Sequence, residues 1–228
     1  MRFLLAAALV AAPALGAAHD LWVEPEGSGF VVRYGHRGGE LLAVEPAKVK
    51  VIRCADGAGA PRDVRAAASF SPTEARFPGP CAVASVIEDA GWFSLTPDGE
   101  VNLPRTRAKD AVKAWASRQY AKWVDARGPL AGAVLGDELE LVPVTSLARA
   151  REGDKISLRV LSAGRPVPDA VVAVDHRTIG ETDSRGEVRI RLRAAGIQSI
   201  STSVRRLHPT PEVDAEVLEA SLTFEVGR

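Results

Sequence analysis

The sequence predicts a mainly β protein: two β-sandwich domains of immunoglobulin-like type, with one long helix in the first. Three observations carry this. Runs that alternate apolar and polar residues, bounded by Gly, Pro, Asp and Ser clusters, fill both halves of the chain. Beyond residue 155 such runs recur at intervals of about 8–12 residues, the rhythm of a sandwich of short strands. Only residues 106–126 place apolar side chains (Val112, Trp115, Ala116, Tyr120 and Trp123) at helical spacing, and Gly128-Pro129 follows as a stop.

At the start, Arg2 precedes an alanine- and leucine-rich run over residues 3–15, too short to span a bilayer as a stable helix, and small residues come next. This is the pattern of a cleaved export signal over residues 1–18, which places the protein in the periplasm. Small residues at −3 and −1 allow a cut after Ala18 or after Gly16. The first cut makes His19 the first residue, so that its α-amine and imidazole can brace one metal ion. The second leaves Ala-Ala-His, whose amine, two amides and imidazole supply the square-planar nitrogen set that Cu(II) and Ni(II) favour.

Roughly 210 residues remain after cleavage, enough for one large or two ordinary domains. Residues 21–23 and 29–34 read as strands around the turn at 25–29, and residues 48–53 alternate charge with apolar side chains. Between them, Tyr34-Gly35-His36-Arg37-Gly38-Gly39 is a glycine-rich loop that sets His36 on a rim. Residues 82–87 and 89–96 read as two strands, with Trp92 and Phe93 suited to the core. The helix over 106–126 is expected to lay its apolar stripe on the sheet and to leave Arg107, Lys109, Lys113, Arg118 and Lys122 on a solvated face. Residues 138–144 and 155–161 return to β alternation. The loop between them suggests a boundary near residue 147, dividing an N-terminal domain (19–147) from a C-terminal sandwich (148–228). His176 follows a strand over 170–175, and His208 lies in a Pro-flanked loop before the last strand, over 220–226.

Lys plus Arg and Asp plus Glu each number 29, so no net basic field exists to recruit nucleic acid. No segment after the signal approaches the length of a membrane span, and no nucleophile–base constellation or phosphate loop appears. Cys54 and Cys81 are the only cysteines. An even pair in an exported chain reads as a disulfide, whose loop of about 28 residues would contribute roughly 3–4 kcal/mol in the chain-entropy picture.

Four stretches resemble a known family: Ala18-His19-Asp20-Leu21-Trp22-Val23-Glu24-Pro25, Gly136-Asp137-Glu138-Leu139-Glu140-Leu141-Val142-Pro143, Gly164-Arg165-Pro166-Val167-Pro168-Asp169-Ala170-Val171-Val172, and Ala220-Ser221-Leu222-Thr223-Phe224-Glu225. In this order they look like the bacterial periplasmic proteins associated with nickel or cobalt uptake, the nickel uptake transporter family. The resemblance implies an exported, metal-handling protein whose C-terminal part is an immunoglobulin-like or carboxypeptidase-regulatory-like sandwich. It also implies a metal transporter in the inner or outer membrane as partner. The family's histidine just past the signal maps onto His19, with His36 and His208 as further matches.

The expected function is thus binding of a divalent transition metal (Ni, Co or Cu) at His19, with His36, His176 or His208 completing the shell and no catalytic residue. A metal-free structural or carrier module, or a copper-dependent oxidative enzyme built on the histidine brace, are the alternatives. For the cysteines the expectation is concrete: in the native protein neither thiol alkylates until a reductant is added, and labelling of two free thiols without reduction would rule the bond out.

Overall fold

β-Branched and aromatic runs punctuated by Gly, Pro and Asp turns build eighteen strands within residues 19–227, the part of the chain that the computed structural model describes. The first nine are β1 (Asp20–Glu26), β2 (Gly29–Gly35), β3 (Leu41–Leu42), β4 (Val49–Ala55), β5 (Pro61–Asp63), β6 (Ser69–Ser71), β7 (Glu74–Pro78), β8 (Val83–Thr96) and β9 (Gly99–Val101). There follow β10 (Lys113–Val124), β11 (Glu140–Pro143), β12 (Lys155–Ser162), β13 (Arg165–Pro166), β14 (Val171–Val174), β15 (Arg177–Glu181), β16 (Glu187–Arg191), β17 (Gly196–Leu207) and β18 (Ala215–Val226). The expected export signal lies outside the described residues.

The strands form three sheets. The largest runs β15-β14-β17-β18-β10-β8-β4-β5, with β9 added to β8. A first smaller sheet runs β1-β2-β7-β6 with β3 on β2, and a second joins β11, β12, β13 and β16. Two cores explain the layering. Leu21, Val23, Phe30 and Val32 of the β1–β2 sheet close on Ile52, Val86, Ala121 and Trp123 of the large sheet. Leu141, Ile156, Leu158 and Val188 close on Tyr120, Val124, Leu222 and Phe224. The centre of the large sheet is therefore covered on both faces. The cores do not divide at residue 147, itself buried, because strands from both sides of it share the large sheet and the second core.

Burial on both faces is the reason the sequence misled at one point. No long helix occupies residues 106–126: a single 3-10 turn, Arg105–Arg107, leads into the twelve-residue strand β10. β10 lies between β8, antiparallel, and β18, parallel. A strand buried on both sides loses its period-2 alternation, and its remaining apolar residues fell by chance on a helical spacing. Of the solvated cationic face expected of that helix, Arg107, Lys109, Lys113 and Arg118 are exposed, and Lys122 is the correction. Lys122 is buried and its ammonium sits 2.8 Å from Glu140, whose carboxylate also accepts the amides of Leu135 and Gly136. Arg118 pairs with Glu138 at 2.9 Å.

Two smaller differences follow from sheet geometry. The two strands expected over 82–96 are one, β8, whose pairing with β10 shifts register at Gly91, so the apparent break is a bulge. Trp92, placed in the core by its type, is 48% exposed. The disulfide Cys54–Cys81 is present and ties β4 to the residues before β8.

The two layers on the β1 side are stitched by side chains. β1 is an edge strand, so alternate carbonyls along its free side need donors from elsewhere. Ser221 Oγ donates to the Leu21 carbonyl at 2.5 Å and Thr223 Oγ1 donates to that of Val23, while Gln119 Nε2 reaches the His19 carbonyl at 3.5 Å. We expect Thr223→Val, which keeps the shape and removes the donor, to cost about 1–3 kcal/mol, because a buried carbonyl loses its partner. Denaturant titration checks this; an unchanged midpoint would mean that the stitch carries no stability.

Candidate metal site

Three of the four histidines meet at one end of the β1–β2 sheet, and each is brought there by a different device. His19 precedes β1, held by the pairing of Asp20 with Gly35 and by the Gln119 contact. His36 follows β2 in a tight loop closed by its own amide to the Glu40 carbonyl, 2.8 Å, and by the Gly39 amide back to its carbonyl, 2.9 Å. Gly35 makes that loop passable. Its φ is +129°, and a Cβ there would stand 2.4 Å from the Glu40 carbonyl oxygen, so no other residue fits.

His176 comes from the two-residue hairpin between β14 and β15. Asp175 and His176 both adopt positive φ, 47° and 60°, as a type I′ turn demands, although neither is glycine. A left-handed conformation costs a residue with a Cβ on the order of 1–2 kcal/mol. Asx and His residues bear it best, yet two in succession is strain that the sheet must hold.

The rings form a row. His19 and His36 lie 4.7 Å apart by centroid, His36 and His176 4.6 Å, and Tyr34 meets His19 edge-on at 5.8 Å. His36 Nδ1 and His176 Nε2 are 3.0 Å apart, a hydrogen bond in which one ring must donate and the other accept. Asp20 Oδ2 stands 3.6 Å from His176 Nδ1. Among the described residues no three His, Cys, Asp or Glu side chains already surround a common point as a finished metal shell. The donors still fit a metal. Two nitrogens bonded at about 2.05 Å to one ion at a right angle would be separated by about 2.9 Å, near the spacing of His36 and His176 with a proton between them. A metal ion bound there would take the place of that proton.

Beneath the rings lies a polar floor that the sequence did not single out. Cross-strand register sets Glu88 of β8 beside Gln119 of β10, and Gln119 beside Glu219 of β18. Gln119 donates to Glu219 at 3.0 Å, while Gln119 Oε1 and Glu88 Oε2 are buried without a partner. Burial pushes the Glu88 carboxyl up to about 7, and burial with the nearby charge of Asp20 does the same for Glu219. Burial also raises Asp20, and it pushes the Tyr34 hydroxyl up to about 12. His19 moves the other way: burial, then the neighbouring His36, hold it below the ordinary imidazole value, so it favours the neutral, ligating form. Polar residues inside otherwise buried runs were the available signal for Gln119 and Glu219.

His208 does not join this site. It follows the far end of β17, eight residues beyond Ile200, which pairs with Val174 beside the His176 turn, and at about 3.3 Å per residue that is roughly 25 Å away.

A β-sandwich protein with a cluster of three histidines at a sheet end is the class that fold and site define. The chain belongs to the DUF4198 family, a domain of unknown function, whose model matches residues 16–206. No curated protein matches the sequence. Among solved structures the chain is similar to the fibronectin(III)-like modules of Clostridium thermocellum CbhA, at 11% identity over 88% of this chain and 86% of that one. The TM-score of 0.25 is too low to carry an argument.

If the His176 turn stores strain, glycine should release it. We expect His176→Gly to raise the stability of the metal-free protein by roughly 1 kcal/mol, the cost of a left-handed residue with a Cβ. Thermal unfolding checks this. A lower Tm would show that the ring contacts outweigh the backbone cost.

Proposed function

We propose that this is a periplasmic protein that binds a divalent transition metal, Ni(II), Co(II) or Cu(II), through His19, His36 and His176, and that it serves metal uptake or buffering. The observation behind this reading is the convergence of three of four histidines, from positions up to 157 residues apart in sequence, on one row of touching rings. Imidazoles with a carboxylate beside them suit borderline metals better than calcium or magnesium, which take oxygen ligands. Asp20 would orient His176 by accepting its second ring proton, the usual partner of a ligating imidazole. Cleavage before His19 would add the α-amine as a further nitrogen. The carboxyls of the floor, pushed up to about 7 by burial, hold less negative charge in the unloaded site than ordinary carboxylates and would ionise further when a cation arrives.

Nickel or cobalt uptake, and a membrane transporter as partner, are the finer form of the reading. Support for them is the sequence resemblance alone. Among the described residues no helix is long and apolar enough to cross a membrane.

The test is titration calorimetry with each metal on the protein processed to begin at His19. Cu(II) should bind most tightly, following the general order of divalent affinities. His36→Ala and His176→Ala should each weaken binding tenfold or more, and His208→Ala should leave it unchanged. Protons compete with the metal for imidazole and amine, so affinity should fall as pH drops from 7 toward 5. Equal affinities for wild type and the His36→Ala/His176→Ala double variant would overturn the reading.

A further inference from the structure

A cavity of about 780 Å³ opens next to the histidine row, between the β14–β15 hairpin, the end of β16 and the start of β17. Its wall carries five arginines, Arg37, Arg177, Arg189, Arg191 and Arg193, against a single carboxylate, Asp175. The chain as a whole balances its charges, so this is a local concentration of one sign. Arg37 is engaged by Glu24 at 3.0 Å, and Arg191 spends one nitrogen on the Gly153 carbonyl at 2.7 Å. Among the described residues no carboxylate stands within ion-pair distance of Arg177, Arg189 or Arg193. Exposed guanidinium groups without counter-charge around the rim of one cavity raise the local concentration of anions.

Two further features define the ligand. Ile179 and Ile197, both half-buried, also line the cavity, so it offers apolar surface to a carbon skeleton as well as forks to oxyanions. The planar guanidinium presents paired N–H donors that match a carboxylate bidentately. The cavity also adjoins the histidine row, because Asp175 and Arg177, which flank His176, and Arg37, which follows His36, line it.

We propose that this cavity binds a small polycarboxylate, and that the metal is taken up as its anionic chelate: the arginines hold the free carboxylates and the histidines take coordination positions that the chelator leaves open. This rests on the metal reading above for its second half only. The anion site stands by itself.

Citrate is the probe, in calorimetry on the protein processed to begin at His19, first alone and then with one equivalent of Ni(II). Citrate alone should bind wild type and the His36→Ala/His176→Ala variant alike, weaken as salt rises, and lose at least tenfold in affinity in Arg189→Gln/Arg193→Gln. Both arginines are exposed, so that variant should keep the wild-type circular-dichroism spectrum and Tm. Nickel citrate should bind wild type more tightly than citrate, and that gain should vanish in the histidine variant. Absence of citrate binding, or equal binding by the arginine variant, would overturn the proposal, as would binding of pyrophosphate with none of citrate. Citrate binding with no gain from Ni(II), in a protein that also fails to bind Ni(II) alone, would remove the histidine reading and the chelate step while confirming the anion site. Ni(II) bound without any citrate effect would do the reverse.

Discussion

The arrangement depends on how an edge strand is satisfied. β1 has a partner on one side only, and the carbonyls along its other side would be buried against the large sheet with nothing to accept from. Ser221, Thr223 and Gln119 supply the donors at alternate positions, in step with the two-residue period of the strand. That fixes more than stability. A slip of one residue would turn Leu21 and Val23 away from the core and carry His19 and Asp20 out of register with His36 and His176. The site inherits its geometry from three polar side chains of the large sheet, Ser221, Thr223 and Gln119.

Much of the fold could be read in advance where a strand has one wet face. The starts of β1, β4 and β12 and the turns of the C-terminal half follow from alternation and from Gly, Pro and Asp clusters, and the Cys54–Cys81 bond follows from an even cysteine count in a chain whose start reads as an export signal. β10 could not be read that way. Its neighbours on both sides and both faces are set by residues about 30 and 100 positions away, and Lys122, a residue whose type signals solvent, is buried because Glu140 and two backbone amides meet there. The histidines show the same limit. All four were visible as candidates, but only strand register separates His176, which joins the row, from His208, which does not.

The site balances opposing terms. A hairpin with two left-handed residues is costly, and so are carboxyls sunk below the rings and polar oxygens left without donors. None of these features helps the metal-free fold. Under the proposed function each would become an asset, since a cation above the floor would favour its ionised form and give the His176 ring a bond that repays its backbone.

One pairing sets the order of events. β18 lies parallel to β10, between β10 and β17, so the last described strand enters the middle of the large sheet rather than its rim. Contacts spanning about 100 residues form slowly, because the intervening chain must be ordered first. Until β18 docks, the Leu21 and Val23 carbonyls of β1 lack their donors and Glu219 is absent from beneath the rings. A chain emerging from its N-terminus exposes His19 long before it can hold it, and a completed histidine row is therefore a report that the strands from β1 to β18 have assembled.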